Sequence, residues 1–502
     1  LGNLFKAKLT LVFGKSLKID GLKFDLLEEN FPPDIHRDPK SKIDHYGNSI
    51  RPNFKIAMSI QQNAKNSFIP YVMLFITLFL VAGVTKYISY FATTEEVLRT
   101  DKNITTLNGP WKFIVEDNMQ YAQSNYNDSG WENIDLAAPS GAHDDDVGLS
   151  GYIPGWTAKG HSNYSGYAWY RLEVSLDSLP GNDFALAAPT AVDDTYQLFI
   201  NGSLLCSAGN FSGRVPIIYS IQPRMFLLPE NVKKEKNITI AFRVWMSSAS
   251  LSPGSGGIHI APALGEKTHI EKKYRFQWAQ TIKGYIVEVA LPIMFILLVI
   301  TMFLLNRSRK PTQSCKWFIT ALVLVGLLRL NQAVYFWFQI ESGHQASFVG
   351  SVILRPLVLG SWLMAWREWF NLHKPQWLPK IIALLTLLFM ASQFLSLSWV
   401  SHSIHTYFQT IGDYLRLLLL AVMLFTLYQG VRKQGAKDLL VFLALLLVTI
   451  AMYPKEVSDL HIIPGIWFPY GVGVSRGQFF YAAFVFVTYV ILIQKNRKAK
   501  LE

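Results

Sequence analysis

At 502 residues, half of them hydrophobic and 16% charged, the chain is too oily for one ordinary soluble domain and has room for two or three. Its formal net charge of +12 does not mark a nucleic-acid binder, because the lysines and arginines form no basic stripe and no recognition motif accompanies them. They cluster in short groups beside apolar runs, as at the cytoplasmic ends of membrane spans. The two cysteines, Cys206 and Cys315, fall in segments expected on opposite sides of a membrane, which excludes a disulfide framework or a cysteine metal cluster.

Residues 1–67 show neither clear periodicity nor a core and are expected to be a poorly structured basic tail. Met58 would make a natural start, so the residues before it read as tail or upstream extension. The run 68–90, "FIPYVMLFITLFLVAGVTKYISY", has spanning length and follows Lys55 and Lys65. It is expected to be an uncleaved anchor, with a cleaved signal peptide as the alternative. Over 92–267 the texture changes to short alternating segments punctuated by Gly, Pro, Asn and Asp, the pattern of an all-β sandwich. Residues 268–284 join it to the membrane with little Gly or Pro, and running on into the next helix they read as a stiff lever. From 285 to 494 seven apolar segments follow, near 285–305, 317–340, 346–366, 377–400, 408–428, 438–453 and 475–494, the sixth of them short. Basic loops (Arg307, Arg309, Lys310, Lys316; Arg367, Lys374, Lys380; Arg432, Lys433, Lys437) alternate with nearly neutral ones. The positive-inside rule then predicts a multi-pass protein with the β region outside and the C-terminus, 495–502, in the cytoplasm.

Six motifs in the β region occur in a fixed order: "LNGPWKFIVED", "NDSGWENIDLAAPS", "YAWYRLEVSL", "DDTYQLFINGSLL", "NVKKEKNITIAFRVW" and "GSGGIHI". In order and spacing they resemble the sugar-binding N-terminal domain of glycoside hydrolase family 2, a galactose-binding-like jelly roll, over most of residues 104–262. The resemblance implies an all-β jelly-roll ectodomain beside an all-α multi-helix transmembrane domain. The arrangement is similar to bacterial seven-transmembrane receptors with diverse intracellular signalling modules, in the bacterial inner membrane. The closing "IPGIWFPYGVGVSRGQFFYAAF" resembles receptors fused to stage-II-sporulation-type serine/threonine phosphatases. By that resemblance the chain is the sensory part of a receptor whose output domain lies beyond Glu502, in cis or in trans. A non-signalling, membrane-anchored sugar-binding or structural subunit is the alternative. No catalytic residue and no cofactor is expected, since the barrel domain that holds the hydrolases' carboxylates has no counterpart here. The expected partners are the lipid bilayer, a carbohydrate, the signalling domain and a second copy in a homodimer, with no nucleic acid.

Two sets of candidate site residues emerge. Before the strand "GYAWYRLEVSLD" lie Tyr152, Trp156, His161 and Tyr164, with Asp144 and Asp145 nearby. Aromatic faces beside carboxylates suit a saccharide, although Asp144, Asp145 and Asp146 also read as a solvated loop. Trp111, Trp131, Trp169 and Tyr170 are expected in the core. In the helices Glu288, Arg329, Arg355, Asp413 and Arg416 are expensive charges, three positive and two negative. They read as a salt-bridge network, as a switch or anion pocket, or, for Glu288, as a snorkelling side chain. "GVSRG" satisfies G-x-S-x-G, but Ser475 is expected to begin a membrane helix, whereas a nucleophile elbow sits between a strand and a helix on an α/β sheet. His344, His402, His405 and His461 read as polar surface rather than a metal site. The sequons at Asn103, Asn127, Asn163, Asn201, Asn210 and Asn237 are incidental in a bacterial protein.

Overall fold

The computed structural model describes residues 69–86, 103–143, 150–305 apart from 180 and 182, 312–397, 402–434, 439–453, 456, 466–467 and 474–501. All of them belong to one compact unit, Ile60–Glu502. The N-terminal tail, Asp144, Asp145, Asp146, His461 and the His402 side chain lie outside the described residues.

The β region consists of two antiparallel sheets. One has four strands in the order β1 (Ile104–Thr106), β12 (Ala263–Glu266), β5 (Phe184–Ala187), β9 (Met225–Leu227). The other has six, in the order β3 (Glu132–Ile134), β2 (Trp111–Ile114), β4 (Gly166–Ser175), β10 (Asn237–Met246), β7 (Thr195–Ile200), β8 (Ser203–Ser207). A small pair, β6 (Val192–Asp193) with β11 (Gly257–Ile258), stands beside them. The ten-residue strands β4 and β10 form the spine, with Tyr170 opposite Phe242 and Arg171 opposite Ala241.

Because successive strand residues point to opposite faces, the spine feeds two cores. Ala168, Tyr170, Ile240, Phe242 and Val244 meet Leu186 and Leu264 of the four-stranded sheet in the main one, so the two sheets form a sandwich. On the reverse face Trp169, Phe199 and Ala241 are roofed by Tyr121, Tyr126 and Trp131. Arg171, also on that face, is buried. It donates to Asp128 at 2.8 Å and to the carbonyls of Tyr121 and Gln123, which fastens the 118–131 segment over the sheet. Trp111 and Tyr170 lie in the main core, Trp169 in the smaller cluster, and Trp131 at its edge.

The helical region comprises α1 (Ile69–Lys86), α2 (Lys267–Gly284), α3 (Ile286–Leu305), α4 (Gln313–Trp337), α5 (Gly343–Trp369), α6 (Leu378–Leu395), α7 (His402–Gln434), α8 (Leu439–Met452) and α9 (Arg476–Leu501). Among the described residues seven helical stretches are long and apolar enough to cross a membrane, α2 and α3 counting as one; α8, at 14 residues, is shorter. Their inner faces interlock through Leu298, Phe318, Leu322, Trp362, Trp366 and Phe484. Their outer faces leave Phe79 74% and Leu387 63% exposed, which is a tenable arrangement in hydrocarbon and a poor one in water. The chain is a membrane protein.

Among the described residues the β region meets the helices in several places, the Ser248–Ser250 turn against α7 being one. Ile270 of α2 is fully buried against Ala185, Ala187 and Ala263 of the four-stranded sheet. On a second side, the Gly343 N–H donates to the Ile218 carbonyl at 2.9 Å and Gln339 Nε2 to the Ser220 carbonyl at 2.9 Å, where α4 turns into α5. Residues 267–305 are not one rod. The helix ends at Gly284 and resumes at Ile286, and the intervening Tyr285 is stacked on Phe336 in the last turn of α4, with ring centres 4.0 Å apart and planes 10° apart. The expected continuous lever therefore carries a clamped joint.

Candidate functional site

The loop aromatics before β4 are drawn into the sandwich rather than displayed. Trp156 is fully buried; its indole N–H donates to the Tyr164 carbonyl at 3.2 Å and its ring lies close to Gly256 and Gly257. The expectation that Trp156 meets a ligand is therefore corrected: the turn at residues 256–257 covers it. Tyr152 lies flat on His259, ring centres 4.7 Å apart. His161 Nε2 is 2.8 Å from Glu132 Oε1, and the Tyr164 hydroxyl donates to the Tyr167 carbonyl. These contacts pin the loop and do not assemble a shared open aromatic face.

Four of the helix charges resolve into two pairs. Glu288, 3% exposed, faces Arg329 at 3.3 Å and accepts from Gln478 Nε2. Glu288 is thus inside the bundle, which corrects the snorkelling reading. Arg416 pairs with Glu456 at 3.0 Å, a carboxylate absent from the expected set, so three arginines face three carboxylates rather than two. Asp413 lies one turn before Arg416 on α7. Arg355 makes no hydrogen bond or ion pair with a described residue, although it feels the charges of Arg416, Arg329, Glu456 and Asp413, and its side chain is exposed.

That exposure opens into a cavity of about 390 Å³ between the β region and the helices. Its roof is the turn holding Asp194, Ser247 and Ser250. The carboxylate of Asp194 accepts from the Ser247 N–H at 2.7 Å and from the Ser250 hydroxyl at 2.8 Å. Its neighbour Asp193 points the other way, 2.9 Å from His259 Nε2 and 2.9 Å from the Gly256 N–H. The floor comes from α5, where a seven-residue π segment, Phe348–Leu354, interrupts the helix. Such interruptions are frequent at functional sites. Ser347, Ser351 and Arg355 flank and occupy it, all lining the cavity. Tyr335, Gln393, His405 and Gln409 supply polar walls from three other helices. Ile218, Ala249 and Leu397 are the apolar side chains in the lining.

Burial raises the Asp194 carboxyl to about 6, against the two hydrogen bonds that favour its ionised form. Burial also works against ionised Asp193, but the ion pair with His259 and the Gly256 N–H outweigh it and hold that carboxyl below its ordinary value. For Asp194 the native state keeps its proton to higher pH than the unfolded chain, so stability falls as pH rises from about 4 to about 6. A shift of about two pH units corresponds to on the order of 2–3 kcal/mol. Denaturation of the Asp194→Asn variant in nanodiscs should show that decline flattened. Asp193 has the opposite sign, losing stability below pH 4, and should be unaffected. An unchanged slope in Asp194→Asn would place the titration elsewhere.

No protein-family model matches the chain, and no curated protein matches it. Solved structures do share part of it. A β-glucuronidase from Bacteroides uniformis is 20% identical over 32% of this chain and 17% of its own, with a TM-score of 0.23. A glycoside hydrolase family 2 β-glucuronidase is 23% identical over 33% of this chain and 18% of its own, TM-score 0.23. The β-glucuronidase of Faecalibacterium prausnitzii is 12% identical over 34% of this chain and 32% of its own, TM-score 0.23. The chain thus spans a third or less of the length of each.

Sequence reasoning missed Asp194, Glu456 and Gln478. Asp194 stood inside the quoted "DDTYQLFING", whose paired acids were a signal for two different partners. Among the described residues no three His, Cys, Asp or Glu side chains gather as a metal set, and His405 Nδ1 contacts the Ser396 carbonyl. Ser475 ends a two-residue strand, Val474–Ser475, paired with Ile466–Trp467 directly before α9, rather than beginning the helix.

Proposed function

We propose that the chain is the sensory part of a bacterial inner-membrane signalling receptor. On this reading the β region is an extracytoplasmic jelly roll of carbohydrate-binding type. The C-terminal end of α9 is cytoplasmic and moves an output module, a serine/threonine phosphatase by the resemblance of the closing segment. The observation that carries the proposal is the water-accessible cavity lined jointly by the β region and four helices. A ligand lodged there has different contacts in different arrangements of the two regions, which is what a population shift requires.

The test uses the chain in nanodiscs, with Cys206 and Cys315 replaced by serine and spin labels at Leu305→Cys on α3 and Lys495→Cys on α9. Screening a glycan and metabolite panel should find a compound that changes the distance distribution. Two glycines inserted after Trp278 in α2 should preserve its affinity and abolish the distance change. A distribution insensitive to every compound that binds would count against signalling and favour a passive binding subunit.

A further inference from the structure

We infer that the cavity between Asp194 and Arg355 is a binding site for a small, hydroxyl-rich molecule carrying one anionic group, carboxylate or phosphate. The inference deepens the receptor reading and relies on it for the consequence of binding, though not for binding itself.

Arg355 is the starting point. A guanidinium in the helical part of a membrane protein is costly and ordinarily pairs inside the bundle, as Arg329 does with Glu288 and Arg416 with Glu456. Arg355 instead faces the cavity: Asp413 and Glu456 attract it from a distance and Arg416 and Arg329 repel it, but no described carboxylate lies within ion-pair distance of it. Its planar fork of donors matches a carboxylate or phosphate in bidentate fashion, so an anion is its natural complement. The π segment of α5 contributes in the same direction, because it sets Ser347 and Ser351 on the cavity wall with Arg355. Hydroxyls there extend the anion site with neutral donors.

The rest of the lining specifies what the anion is attached to. Gln393 and Gln409 offer both donors and acceptors, and Asp194 offers an acceptor at the roof. A carboxylate already holding two hydrogen bonds retains lone pairs for ligand hydroxyls. An apolar ligand would leave these groups unsatisfied, whereas a polyol satisfies them. The cavity of about 390 Å³ lies in the lower part of the range for small-molecule sites, about 300–1,000 Å³. An acidic or phosphorylated sugar-sized molecule meets the size, the single positive anchor and the surrounding donors and acceptors together.

Calorimetry on the whole chain in nanodiscs tests this with D-gluconate, D-glucose 6-phosphate, D-glucose and propionate. Gluconate or glucose 6-phosphate should bind at least tenfold more tightly than glucose and propionate, and whichever binds tells carboxylate from phosphate. Arg355→Gln should erase that preference, while the exposed Arg275→Gln keeps it. If Arg355→Gln fails to give a monodisperse protein, Ser351→Phe, which fills the cavity, decides: it should abolish binding. Equal binding of acids and glucose, no binding of any acid, or a preference surviving Arg355→Gln or Ser351→Phe would overturn the inference. Arg355-dependent binding without movement of the Leu305 and Lys495 labels would leave the site standing and remove the receptor reading. Movement evoked by another compound, with no acid bound, would do the reverse.

Discussion

Gly257→Ala is expected to destabilise the β region by about 2–5 kcal/mol and make it open more often, while Gly254→Ala costs only about 1–2. Both glycines have positive φ, +90° and +83°, so either alanine incurs about 1–2 kcal/mol of backbone strain. They differ in what the new methyl meets. At Gly254 the nearest atom is Pro154 Cβ at 3.8 Å, an ordinary contact. At Gly257 it would overlap the Tyr170 hydroxyl and stand 2.9 Å from the Trp156 ring. Neither aromatic can retreat, since Tyr170 packs on Phe113 at 4.7 Å and both are fully enclosed. Overpacking adds about 1–3 kcal/mol, for a total of about 2–5 against a stability of about 5–15. The readout is thiol labelling of Cys206 in β8 on a Cys315→Ser background. Burial pushes the Cys206 thiol up to about 11, so it reacts slowly until the sandwich opens. Fast labelling in Gly257→Ala and slow labelling in Gly254→Ala is the expected pair. Equal rates would mean that the turn at 256–257 gives way without disturbing the core.

Glu288→Leu should destabilise the helical region by about 3–5 kcal/mol, because it strands Arg329 in the bundle without its carboxylate. The Gln478 amide loses its acceptor in the same step. Removing both charges in Glu288→Leu with Arg329→Leu should recover most of the loss, since an apolar pair of similar size often replaces a buried ion pair at little cost. Labelling of the buried Cys315 on α4 during a thermal ramp, with Cys206→Ser, reports on this region separately. If the double variant proved no more stable than Glu288→Leu, the pair would be ruled out as the reason for the loss. The stacking of Arg329 over the Tyr481 ring, 5.6 Å from its centre, would then carry more weight.

What could be read from the chain beforehand follows the range of the forces involved. Alternation is local, so "YAWYRLEV" disclosed β4 and the sidedness of Tyr170 and Arg171 without knowledge of their partners. Charges within apolar runs stand out for the same reason, and Glu288, Arg329, Arg355 and Arg416 were visible at once. Trp156 was misread because its cover is a turn of two glycines far along the chain, and no local pattern records a long-range contact. Glu456 sits just past the short α8, beyond any periodic signal, and its partner Arg416 lies on the preceding helix. The cavity could not have been anticipated at all, since its lining is scattered from Asp194 to Gln409 and converges through tertiary packing alone.

The clamped joint at Tyr285 bears on how such a molecule could move. The β region is held at α2 and again at the α4–α5 turn, and the stack of Tyr285 on Phe336 ties those two supports to each other. A body fastened at linked points cannot swivel freely on any one of them, and the Ser248–Ser250 turn adds a further contact on α7. The stack of Tyr285 on Phe336 therefore couples the two supports, so that neither can shift without disturbing the rings between them.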